Sequence, residues 1–181
     1  MTEQGMKSMA MGYGRFAAMI AVSTVLMYGL MYLNVFSVEH IEFSQTRMWM
    51  ALVMGAVMAV VMIGFMWAMY ARRTVNVAIV IGGIAVFAGS LWLVRSQQTV
   101  DDVAYMKAMI PHHSIAILTS ERAHIRDPRV RELADGIIRA QVKEIGDMQA
   151  LIKALEDHPP AAAAPDIPSY RARQDPPPPP R

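Results

Sequence analysis

The chain contains no cysteine in its 181 residues, which excludes a disulfide framework and any thiolate metal ligand. It also lacks a strong charge imbalance. The 17 Lys and Arg residues face 15 Asp and Glu residues, and a net charge of +2 is too small to indicate nucleic-acid binding. No glycine-rich phosphate loop, HExxH motif or Ser-His-Asp pattern occurs. These absences leave little support for an enzyme.

Apolar residues are abundant and make up 54% of the chain. Three stretches without any charged residue or histidine reach the ~20 residues needed to cross a bilayer. They run over residues 16–36, 48–70 and 75–94. The sequence therefore predicts an all-α protein with a three-helix transmembrane region at residues 16–95. Residues 1–15 precede that region as an N-terminal tail.

The orientation in the membrane follows from the positions of Lys and Arg. Lys7 and Arg15 precede the first span, and Arg72 and Arg73 fill the second loop. Because loops rich in Lys and Arg stay in the cytoplasm, we predict that the N-terminus and the second loop are cytoplasmic. Three crossings of a bacterial inner membrane then place everything after Arg95 in the periplasm or outside the cell.

Two helix start signals follow the spans. The pair Thr99 and Asp102 has the spacing of a capping box and predicts a helix from there to about His124. Asp127–Pro128 combines a cap with a proline at the first helical position and predicts a second helix to about Asp157. The short connection makes residues 96–158 an antiparallel helical hairpin. The Ala- and Pro-rich residues 159–181 cannot bury a core, and we predict that they are disordered.

The helical faces of this hairpin carry polar and sulfur-bearing side chains. At ~100° per residue, Met106, Met109 and His113 share one face of the first helix, and His112 points roughly 100° away from His113. The second helix has an apolar stripe that two polar residues interrupt in its middle. The stripe consists of Leu133, Ile137, Gln141, Glu144, Met148, Leu151 and Leu155. If the hairpin packs along these faces, His113, Met109 and Glu144 approach one another.

Imidazole, thioether and carboxylate groups are the ligands that select copper or a related late metal. The candidate metal ligands are His112, His113, Met109, Met148, Met106 and Glu144. The alternative is that these groups satisfy one another without a metal. Glu144 then pairs with a protonated His113, Gln141 bonds a backbone carbonyl freed by Pro111, and the methionines fill gaps in the packing.

The ordered pattern Asp102-x-x-Tyr105-x-x-x-Met109-Ile-Pro-His112-His113, followed by Gln141-x-x-Glu144-Ile-x-x-Met148, resembles the bacterial domain-of-unknown-function family number 305. The resemblance covers about residues 100–155. It implies a ferritin-like helical fold in a secreted or membrane-anchored protein, and some relatives bind copper or silver. It also implies metal-handling roles for Met109, His112, His113 and Met148.

Three functions stay open at this point. The first is a membrane-anchored, extracytoplasmic metal-binding protein that handles copper. The second is a non-catalytic membrane interaction or assembly protein whose histidines are structural. The third is a di-iron-like metalloenzyme, because Glu121 and His124 have the Glu-x-x-His spacing of di-iron bundles and a dimer would supply a second copy. Two amphipathic helices bury little core, so we expect a homodimer that completes a four-helix arrangement.

Overall fold

The computed structural model describes the backbone of residues 3–161 and 163–174, and the side chains of residues 12–161, 163–171, 173 and 174. The described chain is helical and contains no strand. Its α-helices are α1 (Glu3–Leu30), α2 (Gln45–Phe65), α3 (Arg73–Ser96), α4 (Asp102–Arg122), α5 (Pro128–Asp157) and the short α6 (Tyr170–Gln174). Two 3-10 turns lie between the first three helices, at Val38–His40 and Trp67–Met69.

Three helices are long and apolar enough to cross a membrane, over Gly12–Leu30, Gln45–Phe65 and Arg73–Ser96. The all-α prediction with three spans is therefore confirmed, and the boundaries differ by a few residues. The first helix is the largest departure, since it begins at Glu3 and ends at Leu30 instead of continuing to residue 36. Residues 31–34 form turns, so the predicted first span is too long at its C-terminal end.

Helix α2 lies in the middle and packs against both α1 and α3. Glycines permit both contacts. A side chain at Gly55 would collide with Thr24 of α1, and one at Gly83 would collide with Val60 of α2. Without a Cβ atom, these positions let the helix backbones approach closely, which is how helices associate in lipid where burial from water provides no driving force.

A polar cluster holds the three spans together at the end near the α2–α3 loop. Asn76 is fully buried, and its side-chain amide donates to the carbonyl oxygens of Tyr70 (3.0 Å) and Trp67 (3.4 Å). The Tyr13 hydroxyl of α1 donates to Oδ1 of Asn76 at 2.8 Å and lies 3.2 Å from the carbonyl oxygen of Arg72. Because each buried polar atom has a partner, this cluster stabilises the contact of α1 with the loop.

Helices α4 and α5 form the predicted antiparallel hairpin, and α5 ends at Asp157 as predicted. The start of α4 differs from the prediction. Its N-cap is Asp101, whose carboxylate accepts from the Ala104 amide at 2.7 Å. Thr99 is not the cap, because its hydroxyl is 3.3 Å from the indole nitrogen of Trp49 instead. A carboxylate one residue before the helix competes better for the free amides of the first turn than a threonine three residues away.

The core of the hairpin is a small apolar cluster between the two helices. Its buried members are Met106, Ile110, Ile117, Ile145 and Ile152, and Val103, Ile138, Met148 and Leu155 pack around them. The predicted stripe on α5 is therefore wrong by one residue at several positions. Leu133 is 65% exposed and Leu151 is 54% exposed, while Ala134 and Ile152 are buried in their place.

The hairpin contacts the membrane region along α4. Ser114 is fully buried, and its hydroxyl oxygen accepts from the Phe36 amide at 2.7 Å and lies 2.9 Å from Nδ1 of His40. Phe36 and His40 belong to the α1–α2 connection. Since the Phe36 amide is a donor, the serine hydroxyl is free to donate to the His40 ring. The hairpin is thus fixed to the α1–α2 connection by two partly buried hydrogen bonds.

The tail after α5 has little regular structure among its described residues. Residues 164–169 are irregular, and α6 is a single short helix. The prediction of disorder for the proline run 176–180 lies outside the described residues.

Candidate metal centre

His113 and Glu144 come together across the hairpin. Nδ1 of His113 lies 3.2 Å from Oε2 of Glu144, and the His113 side chain is 15% exposed. The direction of approach is not that of a hydrogen bond, and the buried Nδ1 atom has no hydrogen-bond partner among the described residues. A buried ring nitrogen without a partner is costly and uncommon in native proteins.

Burial sets the protonation of this histidine. Loss of solvent lowers the pKa of His113 below its ordinary value of 6.5, the neighbouring His112 lowers that pKa further, and the Glu144 carboxylate opposes both effects. The ring is therefore neutral at pH 7, and the 3.2 Å contact joins a neutral imidazole to a carboxylate instead of forming a full ion pair. A neutral imidazole is the form that binds metals.

The contact also fixes the register of the two helices. In an antiparallel pair, moving four residues towards the open end of the hairpin from His113 and Glu144 leads to Met109 on α4 and Met148 on α5. Each methionine is one helical turn from its polar neighbour, where residues at i and i+4 lie about 5–6 Å apart at Cβ. Both methionines are partly buried. The backbone thus places one imidazole, one carboxylate and two thioethers at neighbouring levels of the hairpin.

Two of the six predicted ligands lie elsewhere. Met106 is 6% exposed and packs in the apolar core of the hairpin. His112 is exposed, and its ring centre lies 6.2 Å from that of His113, as expected for adjacent residues on a helix. The structure therefore brings together His113 and Glu144, and Met109 and Met148 follow one helical turn away, with His112 exposed to solvent. Met148 also packs against the apolar core of the hairpin.

The structure does not form a site from carboxylates and histidines alone. No three His, Asp or Glu side chains converge on a point suited to a metal ion anywhere in the described part of the chain. Glu121 and His124 of the di-iron alternative are both exposed near the α4–α5 turn. The thioethers of Met109 and Met148 are the other metal-binding side chains one helical turn from His113 and Glu144.

Gln141 has a different partner from the one predicted. Its amide nitrogen lies 3.4 Å from Oε2 of Glu144, so it faces the same carboxylate as His113 and does not reach a carbonyl near Pro111. Sequence reasoning also missed Ser114. Its position next to the histidine pair was the available signal, but a serine inside a helix is usually an unremarkable solvated residue.

The fold and this site define a membrane protein with three spanning helices and a helical hairpin domain. Residues 102–177 of the chain match a family described as "Domain of unknown function (DUF305)", so this part of the chain carries a DUF305 domain and the resemblance noted in the sequence is confirmed. The match begins at the first residue of α4 and continues past the end of α5 into the tail.

One curated relative is similar to part of the chain. The "Uncharacterized protein L153" of Acanthamoeba polyphaga mimivirus is 39% identical over 64 residues, which is 34% of this chain and 42% of that protein. The chain thus spans less than half the length of this relative. No solved structure matches the chain.

Proposed function

We propose that this chain is a membrane-anchored, extracytoplasmic metal-binding protein that handles copper through the α4–α5 hairpin. The observation that supports it most is the Nδ1 atom of His113, which is buried, lacks a hydrogen-bond partner among the described residues and belongs to a neutral ring. A metal ion bound through Nδ1 would satisfy this lone pair.

The neighbouring donors favour copper in its reduced state. Met109 and Met148 lie one turn from His113 and Glu144, and thioethers are soft ligands that select Cu(I). Zinc prefers three or four nitrogen, thiolate or carboxylate ligands, and the described residues contain no such group of histidines and carboxylates. His112, exposed beside the site, is placed to receive the ion from solvent.

The location proposed for this site is outside the cytoplasm of a bacterial inner membrane. Arg15, Arg72 and Arg73 are exposed at one end of the spans, and the hairpin follows the opposite end of α3. By the charge rule for loops, the arginine end is cytoplasmic and the hairpin is periplasmic or extracellular. A reporter enzyme fused after Pro159 that is active only after export should be active, and strong activity of a cytoplasmic reporter at the same point would contradict this topology.

The metal is tested on the full-length protein purified in detergent. Copper content is measured by mass spectrometry after incubation with Cu(I) and removal of the unbound ion. Wild type should retain copper, and the double variant His112→Ala/His113→Ala should lose it. His124→Ala is the matched control because this exposed histidine lies near the turn and away from Glu144. Equal retention by wild type and the double variant would place the site elsewhere.

A second candidate function is supported by the outer surface of α5. Leu133, Ile137 and Leu151 form an exposed apolar stripe beside the one that packs on α4. Such a surface fits an interaction or assembly protein, or the homodimer that would complete a four-helix bundle. In that case the double histidine variant would lose helicity in the absence of metal, because the histidines would then be packing groups.

A further inference from the structure

A second candidate site lies inside the transmembrane region, away from the hairpin. A groove of about 710 Å³ runs between α1 and α3, and α2 forms its floor. Its lining is almost entirely apolar and includes Phe16 and Ile20 on α1, Gly55 and Ala59 on α2, and Ile79 and Gly82 on α3. The small residues of the floor and of α3 account for the depth of the groove, since no side chain fills it there.

The groove has the length of one leaflet. On α1 its lining extends from Tyr13 to Val25, and on α3 from Val75 to Val86. At 1.5 Å per residue these stretches measure about 18 Å and about 16 Å. Half of a hydrocarbon core of ~30 Å is about 15 Å. The groove therefore begins at the α2–α3 loop and ends slightly beyond the middle of the membrane. An acyl chain of the lipid leaflet on the same side spans a similar depth.

Positive charge lies at the mouth of the groove. Tyr13 and Val75 line the loop end, where the Tyr13 hydroxyl lies 3.2 Å from the carbonyl oxygen of Arg72 and Arg73 begins α3. Both arginines are exposed, and neither forms an ion pair with another described residue. No Asp or Glu occurs between residues 12 and 38 or between residues 43 and 100.

We propose that this groove binds one anionic phospholipid, with an acyl chain between α1 and α3 and the phosphate headgroup at Arg72 and Arg73. An apolar groove of leaflet length selects a lipid chain, and arginine at the headgroup level binds phosphate through its planar, multiply donating guanidinium group. The lipid fills the space between α1 and α3 and so stabilises the arrangement of the three spans. This inference does not depend on the metal site or on the side of the membrane that the loop faces.

Gly82 offers a direct test. A Cβ atom at this position meets no other atom within 4 Å, and Gly82 lines the groove, so the side chain of Gly82→Leu begins in open space and extends into the groove. Gly89 is the matched control. It lies two turns further along α3 on nearly the same face, also has open space around it, and does not line the groove. Ala17→Leu fills the groove from the opposite wall, since Ala17 is exposed and lines it.

The full-length protein in mild detergent is titrated with phosphatidylglycerol or phosphatidylethanolamine and examined by native mass spectrometry. Wild type should retain one phosphatidylglycerol in preference to phosphatidylethanolamine. Gly82→Leu and Ala17→Leu should lose this lipid, and Gly89→Leu should keep it. Arg72→Gln/Arg73→Gln should retain lipid but lose the preference for phosphatidylglycerol.

Three results would overturn the proposal. Equal lipid retention by Gly82→Leu and Gly89→Leu would mean that the bound lipid is only annular. A lack of headgroup preference in wild type would remove the role of the arginines. The third result is a wild-type protein that binds no lipid but forms a dimer, where Gly82→Leu dissociates that dimer. It would show that a helix of a second copy occupies the groove.

Discussion

Nδ1 of His113 and Oε2 of Glu144 lie 3.2 Å apart between two helices whose residues are 31 positions apart in the chain. The imidazole is mostly buried and the carboxylate is half exposed, so the pair lies at the boundary between the apolar core of the hairpin and solvent. The Glu144 carboxylate raises the pKa of His113 against the effect of burial, so the titration of His113 reports on this contact.

The first prediction concerns that titration in the metal-free protein. Burial lowers the pKa of His113 below 6.5, and Glu144 acts in the opposite direction. His113 should therefore titrate below 6.5 in an NMR titration of the histidine rings, and Glu144→Gln should lower its pKa further.

The sign of the stability effect follows from the same shift. Because the folded protein holds this proton less tightly than the unfolded chain, the hairpin should lose stability as the pH falls through about 6.5, the unfolded value. Copper binding should persist to a lower pH than at an exposed histidine. A pKa of His113 above 6.5 in wild type would contradict the buried, neutral ring.

The second prediction tests the helix cap. Asp101→Ala removes the carboxylate that accepts from the Ala104 amide and should destabilise the start of α4 by about 0.5–2 kcal/mol. Hydrogen exchange of the first-turn amides should accelerate accordingly. Thr99→Ala should leave the exchange rates of those amides unchanged. A larger effect of Thr99→Ala than of Asp101→Ala would show that Thr99 is the N-cap, as the sequence predicted.

The third prediction concerns the attachment of the hairpin to the α1–α2 connection. Ser114→Ala leaves the Phe36 amide and the His40 ring without their shared partner. Leaving a buried donor or acceptor unpaired costs about 1–3 kcal/mol, and these partly buried groups should cost less. The α1–α2 connection should therefore exchange its amide hydrogens faster while α2 and α3 are unaffected. Thr119→Ala is the control, because Thr119 is exposed and bonds only carbonyls of its own helix. Unchanged exchange at Phe36 would show that the contact does not hold the loop.

The fourth prediction concerns the proposed homodimer. Leu133→Glu places a charge on the exposed apolar stripe of α5 and should abolish the dimer without unfolding the hairpin, because Leu133 lies outside the core. Val142→Glu is the matched control, since Val142 is 57% exposed and lies on a different side of α5. Native mass spectrometry in detergent distinguishes the two. A wild-type protein that is monomeric, or a dimer equally sensitive to both variants, would exclude this interface.

Much of the fold followed from local signals in the sequence. Long uncharged stretches indicate spans, and Asp127–Pro128 indicates the start of α5, because the bilayer and the helix terminus impose these features directly. The packing of α5 did not follow. This helix has two adjacent apolar stripes, one through Ile145 and Ile152 and one through Leu133 and Leu151, and periodicity alone cannot tell which of them faces α4.

The candidate site was likewise predicted only in part from the sequence. The approach of His113 to Glu144 was predictable because each lies beside an apolar face of an antiparallel pair. The burial of Met106 in the core was not, because methionine serves equally as a ligand and as a packing residue. The contact of Ser114 with His40 depends on how the hairpin lies against the α1–α2 connection, and this long-range arrangement leaves no periodic signal in the sequence.

The most direct test of the proposed metal centre is X-ray absorption at the copper edge of the Cu(I)-loaded, full-length protein. A ligand set that includes Met109 and Met148 predicts sulfur scattering together with nitrogen or oxygen scattering. Met109→Leu conserves volume and apolarity, so the fold should survive while the sulfur contribution falls. Met69→Leu, in an exposed methionine of the α2–α3 connection, should leave the spectrum unchanged. A spectrum without sulfur, or one that Met109→Leu and Met148→Leu do not alter, would contradict the account.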